Sequence, residues 1–246
     1  MKSWLLLVCA LSSSAWALAP CQGGTAVGSW ALAPCQGGTA VGSWCEAGIA
    51  ALHPTQGGVG QLQVDAIQRR LAGKSAKQLD NLMKKKEIPV VIAPDGGYWL
   101  VDRHHLTKAL WQQGVKQVRV KVIARLQDRA NFWSQMQNNH WAWLKDEKGQ
   151  PLTPEQLPTR IDQLPDYPYR TLAGLLQDAG YFSKDGQVYF VEFAWASWLG
   201  QQMEWRPIDS ANLRVRLQQA KRLACRQEAS ALPGYPGRQC SLNRTK

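Results

Sequence analysis

The chain changes rhythm as it runs, and each change predicts an element. Residues 61–71 and 75–85 carry their apolar side chains at helical spacing and predict two helices. An apolar run follows from Ile88 to Ile92, then a turn at Asp95-Gly96-Gly97 and a second short run from Tyr98 to Val101. That order predicts a β-hairpin whose second strand feeds directly into a helix. Asp102 stands at the expected N-cap, its carboxylate set to accept the backbone N–H of His104 or His105, and Leu106, Ala109 and Leu110 recur at helical spacing behind it. From Lys116 to Ala124 the period drops to two, with Val118, Val120 and Val122 on one face of a strand and Arg119 and Lys121 on the other.

A helix capped by Asp128 is expected to run to about Asn138. Residues 145–167, rich in Pro, Asp and Gln, predict an irregular connection. Helices near 169–179 and 190–202 follow, separated by a turn at Lys184-Asp185-Gly186. A last helix, capped by Ser210, turns Leu213, Leu217, Ala220 and Ala224 inward. The expected architecture is α+β: a small mixed sheet with flanking helices and a helical C-terminal subdomain.

The N-terminus assigns a compartment. Lys2, an apolar core from Leu5 to Leu11 and Ala15-Trp16-Ala17 read as a secretory signal cleaved near Ala17, too short to span a bilayer. The mature chain is therefore expected to be periplasmic or secreted, with no transmembrane segment. Residues 16–29 recur unchanged as residues 30–43, an in-frame duplication too short and too rich in Gly and Ala to be a solenoid repeat. Cleavage leaves five cysteines, an odd number for an oxidising compartment. Cys225 and Cys240 bracket a tail that they would close as a loop. Cys45 would pair with either Cys21 or Cys35, leaving the other as a free thiol.

Charge adds a candidate partner. Of the net +11, residues 206–246 hold +7, with Arg214, Arg216, Lys221 and Arg222 on the last helix. A basic helix and tail suit an anionic partner, nucleic acid or a membrane surface, or else form a solvated face.

The chemistry-bearing residues are few. His104 and His105 fall in the first turn of a helix, where unpaired N–H groups and the helix dipole favour anions. The other two histidines are His53 and His140. Neighbouring helical positions point about 100° apart, so His104 and His105 are poor partners for one ion. His53 is the better second ligand if the loop at Pro54-Thr55-Gln56 folds over the helix start. No dense metal motif, Ser-His-Asp pattern or phosphate loop of the G-x-x-x-x-G-K-[ST] type is present. A divalent metal is left open as cofactor, and so is metal-free chemistry with His105 as general acid or base and Arg103 on phosphate.

Several motifs in order carry a resemblance: Leu52-His53-Pro54-Thr55-Gln56, Ile88-Pro89-Val90-Val91-Ile92, Val101-Asp102-Arg103-His104-His105, Asp166-Tyr167-Pro168-Tyr169-Arg170-Thr171 and Val191-Glu192-Phe193-Ala194-Trp195-Ala196. Together they resemble the ParB/sulfiredoxin superfamily, more narrowly its exported ParB-like nuclease group, over roughly residues 48–200. The resemblance implies a ParB/sulfiredoxin-like α+β fold with a phosphate-handling site at the strand-to-helix turn. Catalytic roles fall to His105, His104 and Asp102, and phosphate binding to Arg103, Thr55 and Gln56. His53, Arg170 and Glu192 are accessory candidates.

The departures are informative. Arg103 stands where the nucleotide-using relatives carry glycine, and Leu106 where they carry arginine. A glycine lets backbone approach phosphate closely and an arginine grips it with two bonds, so nucleotide-dependent, kinase-like chemistry ranks last. His104 replaces the cysteine that sulfiredoxin chemistry needs, and no helix-turn-helix follows the core. The resulting division is a signal at 1–17, a duplicated leader at 18–47, the core at 48–145, a helical extension at 146–205 and a basic helix and disulfide-closed tail at 206–246. Two classes remain: a nuclease or phosphodiesterase, and a non-catalytic anion- or nucleic-acid-binding module.

Overall fold

The computed structural model describes residues 32–183, 189–235 and 237. Five strands form one mixed sheet: β1 (Trp44–Gly48), β2 (Leu52–Pro54), β3 (Pro89–Ile92), β4 (Tyr98–Leu100) and β5 (Gln117–Arg125), in the order β1-β5-β3-β4-β2. β3 and β4 are the expected antiparallel hairpin, β5 lies parallel to β3, and the two outer strands pair β1 antiparallel to β5 and β2 parallel to β4. Val118, Val120 and Val122 alternate inward along β5, as its period of two requires.

Among the described residues there are seven α-helices: α1 (Gln61–Leu71), α2 (Ala76–Lys84), α3 (His104–Gln112), α4 (Phe132–Asn138), α5 (Pro168–Asp178), α6 (Val191–Gln202) and α7 (Leu213–Ala224). Val90 and Ile92 bury one face of β3 in a core shared with α1, α2 and α3, while Val91 faces the opposite side and packs with Phe132 and Met136 of α4. A separate helical core gathers Leu172 and Leu176 of α5, Trp195 and Leu199 of α6, and Ala220 and Leu223 of α7. The α+β expectation holds.

Several local readings need correction. β1 begins within the stretch read as a duplicated leader, for which no strand was expected; Cys45 and Ala47 face inward, but they are too small to announce a strand. The Asp128 carboxylate accepts the N–H groups of Ala130 and Asn131 ahead of α4, whose cap residue is Asn131. Asp209, not Ser210, organises the entry to α7, accepting from Ala211 and Asn212.

Of the two alternatives for Cys45, the disulfide is Cys35–Cys45. Cys35 lies in the second copy of the duplication. Cys225 is also disulfide-bonded. Its expected partner Cys240, the signal segment, Cys21 and the Lys184-Asp185-Gly186 turn lie outside the described residues. No helix among the described residues is long and apolar enough to cross a membrane.

Candidate functional site

The turn between β4 and α3 departs from the expected cap. Asp102 does not reach the helix; its carboxylate accepts the N–H of the adjacent Arg103 at 2.6 Å. The residue that opens α3 is Arg103 itself, held in the left-handed region with φ 68° and ψ 23°. An L-residue there costs about 1–2 kcal/mol relative to ordinary backbone, and glycine nearly nothing.

Both histidines of the turn accept backbone N–H groups from the loop between β2 and α1. The Nε2 of His104 takes the N–H of Thr55 at 3.2 Å, and the Nε2 of His105 takes that of Gly60 at 3.0 Å. The Thr55 hydroxyl donates to the Leu100 carbonyl at 2.8 Å. These three bonds stitch the loop over the start of α3. His104 is 3% exposed, and burial drives its pKa down to about 4, against the opposing pull of Asp102 and of the Leu100 carbonyl. It is a neutral, internal fastener. His53 goes elsewhere: its Nδ1 bonds with the carbonyl of Thr159 at 3.0 Å and its ring packs on Trp99. The loop does fold over the helix start, but His53 is not carried in with it.

The motif at residues 166–171 works position by position. Asp166 accepts the N–H of Gln61 at 2.8 Å and so caps α1, whose own cap residue Gly60 has no side chain. Pro168 opens α5, where a missing N–H costs nothing. Arg170 pairs with Glu192 of α6 at 3.3 Å, each side chain only 12% exposed. Burial lowers the Arg170 pKa, with Glu192 and then Asp102 pulling it back up, so the guanidinium stays charged. Glycines let α1 and α5 approach: a Cβ on Gly60 would lie 2.4 Å from Thr171 Oγ1, and one on Gly174 would strike the Gln63 amide.

Two cavities meet at the Arg170–Glu192 pair. The first, about 520 Å³, lies between α1, the start of α3 and α5. Its wall includes His105 and four arginines, Arg69, Arg70, Arg103 and Arg170, against the carboxylates of Asp178 and Glu192. Three buried polar atoms of its lining residues have no hydrogen-bond partner: Gln63 Oε1, Arg170 Nε and Thr171 Oγ1. Unsatisfied groups of this kind cost stability unless a ligand or water meets them. The second cavity, about 380 Å³, is lined by Gln56 and Asp102 and by the rings of His140, Trp141, Tyr189 and Phe190. His140 (φ 58°) and Phe190 (φ 56°) share the left-handed backbone of Arg103. His140 takes it as the residue that ends α4, with the Trp141 N–H on the Met136 carbonyl, and Phe190 as the cap of α6; Glu204 and Trp205 share it and line neither cavity.

Of the sequence-derived candidates, His105, Arg103, Arg170 and Glu192 converge on the first cavity, and Asp102 and Gln56 on the second. Thr55, His104 and His53 line neither. Sequence reasoning missed Arg69, Arg70, Gln63 and Thr171. The two arginines occupy the last turn of α1, where a pair of cations reads as simple dipole complementation. Among the described residues no group of three or more His, Cys, Asp or Glu is placed to hold a metal ion.

Residues 45–201, from β1 to near the end of α6, match the family described as "Putative ParB-like nuclease". The crystal structure of protein Atu1540 from Agrobacterium tumefaciens is similar at 31% identity with a TM-score of 0.69, covering 79% of this chain and 97% of that one. The C-terminally truncated chromosome-partitioning protein ParB from Caulobacter crescentus, complexed with CTP-gamma-S, aligns over 82% of this chain and 99% of that one at 14% identity, with a TM-score of 0.26. No curated protein matches the chain.

Proposed function

The chain belongs to the ParB-like nuclease family, and from that premise we propose an exported enzyme that hydrolyses phosphodiester bonds, its site at the Asp102–His105 turn. The observation that carries this reading is the convergence of His105 and four arginines on one cavity with unsatisfied polar groups. Arginine guanidiniums suit phosphate because their paired N–H groups match its oxygens, and they stabilise the charge that builds as the ester breaks.

The Gly60 N–H bonded to His105 gives this site a way to respond to substrate. A phosphate oxygen at the mouth of α3 accepts that N–H in place of the imidazole and releases Nε2 for proton transfer. Water then attacks phosphorus and passes a proton to His105, the bond to the leaving oxygen breaks, and the leaving oxygen takes a proton from the imidazolium. Arg103 and Arg170 hold the phosphoryl oxygens.

The test is turnover of single- and double-stranded nucleic acid by the purified mature protein, with added magnesium or manganese and with chelator. The expected result is cleavage that His105→Ala abolishes. Cleavage unaffected by His105→Ala ends the assignment.

One observation favours the second reading, a non-catalytic anion-binding module: at rest both imidazoles accept backbone N–H groups, which is how purely structural histidines behave. Tight, salt-sensitive binding of nucleic acid without turnover would select it. Export rests on the signal-like N-terminus, and the Cys35–Cys45 bridge fits an oxidising compartment. Intact-mass measurement of the exported protein decides it, since retention of Met1 to Ala17 excludes cleavage.

A further inference from the structure

The second cavity has the wrong lining for phosphate and the right one for a flat ring. In its lining the imidazole of His140 stacks on the phenol ring of Tyr189 with centroids 4.0 Å apart and planes 9° from parallel. Tyr189 is nevertheless 53% exposed and His140 is exposed too, so the pair gains little from burial. Phe190 extends the wall inward, its ring 5.1 Å from that of Trp143. Both residues stand at helix ends, His140 closing α4 and Phe190 opening α6, which fixes their backbone beside the cavity. Stacked rings left exposed in the lining of a cavity offer a face to a further flat ring, whereas rings serving a core are covered. Gln56 and Asp102 in the same lining offer polar groups to the edge of a ring bound there. Arg170 and Glu192 line both cavities, so a ligand in the second has its charged end within reach of the arginines in the first.

We propose that the second cavity is a ring-stacking subsite, taking the base of a nucleotide unit whose phosphate lies at the arginines of the first. The inference rests on the phosphodiesterase reading for the phosphate half and adds the substrate class: nucleic acid presented single-stranded or with a base turned out of the helix. A duplex keeps its base faces stacked on one another and offers none to Tyr189.

The test measures binding of a four-nucleotide thymidylate strand and of an abasic four-unit strand of equal charge to the mature chain, its Tyr189→Ala and Tyr189→Phe variants, and the same protein in inorganic phosphate. Stacking on an aromatic side chain is worth roughly ten-fold or more in affinity per base. Wild type and Tyr189→Phe are expected to prefer thymidylate over the abasic strand by about that factor. Tyr189→Ala should bind the two alike and keep wild-type affinity for phosphate. Equal binding of both strands by wild type overturns the stacking subsite and leaves the phosphate site standing. Failure of wild type to bind phosphate or either strand overturns both.

Discussion

Arg170 and Glu192 meet at 3.3 Å between α5 and α6, and their ion pair is the wall that both cavities share. Arg170 therefore has a resident anion at rest and an incoming one when ligand arrives. Glu192→Gln keeps the shape and removes the resident charge. It should lower stability by about 1–3 kcal/mol, because a buried guanidinium loses its counter-charge. It should also raise affinity for inorganic phosphate, which then replaces the carboxylate. Calorimetry alongside melting curves checks both; a fall in phosphate affinity would show that Glu192 orients Arg170 rather than competing with substrate.

His104 gives the fold a defined acid limit. Its pKa is about 4 in the folded chain and near the ordinary 6.5 when unfolded. The unfolded chain therefore binds the extra proton between those values, and stability falls as pH drops from about 6.5 towards 4. The full loss is ~3 kcal/mol. Protonation would set the imidazole's new N–H against the Thr55 N–H that it now accepts. His104→Gln, which does not titrate, should lack this slope in chemical denaturation across pH 4–7. An identical slope in both proteins assigns the acid sensitivity to other groups.

Arg103 combines a costly backbone with a useful side chain. Arg103→Gly should stabilise the protein by about 1 kcal/mol through its φ of 68° and still weaken phosphate binding by removing one guanidinium. Arg103→Gln should weaken binding without the gain in stability. Melting temperature and phosphate affinity measured on the pair separate backbone from charge; a less stable Arg103→Gly would mean that the bond from Arg103 Nε to the Glu87 carbonyl outweighs the strain.

What the sequence disclosed divides along physical lines. Long periodic elements such as α1 and β5 were legible because their buried faces are built from Val, Leu and Ile. β1 was not, because its inward positions hold Cys45 and Ala47 in a stretch rich in Gly and Ala. The turn was found but its geometry was not: arginine rarely adopts left-handed backbone, so Asp102 looked like the cap. The first cavity was half legible. His105, Arg103 and Arg170 stand in recognisable motifs, and Thr171 follows Arg170 in one of them, but Thr171 and Gln63 matter to the cavity only because α1 and α5 pack closely at Gly60 and Gly174.

His105 is part-buried and accepts one backbone bond. His105→Ala should therefore cost about 1 kcal/mol of stability from that lost bond and abolish turnover altogether. His105→Gln, able to accept the Gly60 N–H but not to transfer a proton, should restore stability without activity. Activity in His105→Gln would remove proton transfer from its role.

The Cys35–Cys45 bridge lies at the rim of the sheet. β1 is an outer strand, and its free side is taken by the segment before it, through the bonds Cys35 N–H to Glu46 O and Glu46 N–H to Ala33 O. An uncovered outer strand is a template for a neighbouring chain. The disulfide thus acts as a latch on a protective flap, and it closes only where thiols oxidise. Without the bridge the flap would keep those bonds and the ones from Arg125 to the Gly37 and Thr39 carbonyls, but no covalent tie. On the proposed exported reading, self-association through β1, rather than a change in the arginine-lined cavity, would be the first sign of protein held back in a reducing compartment.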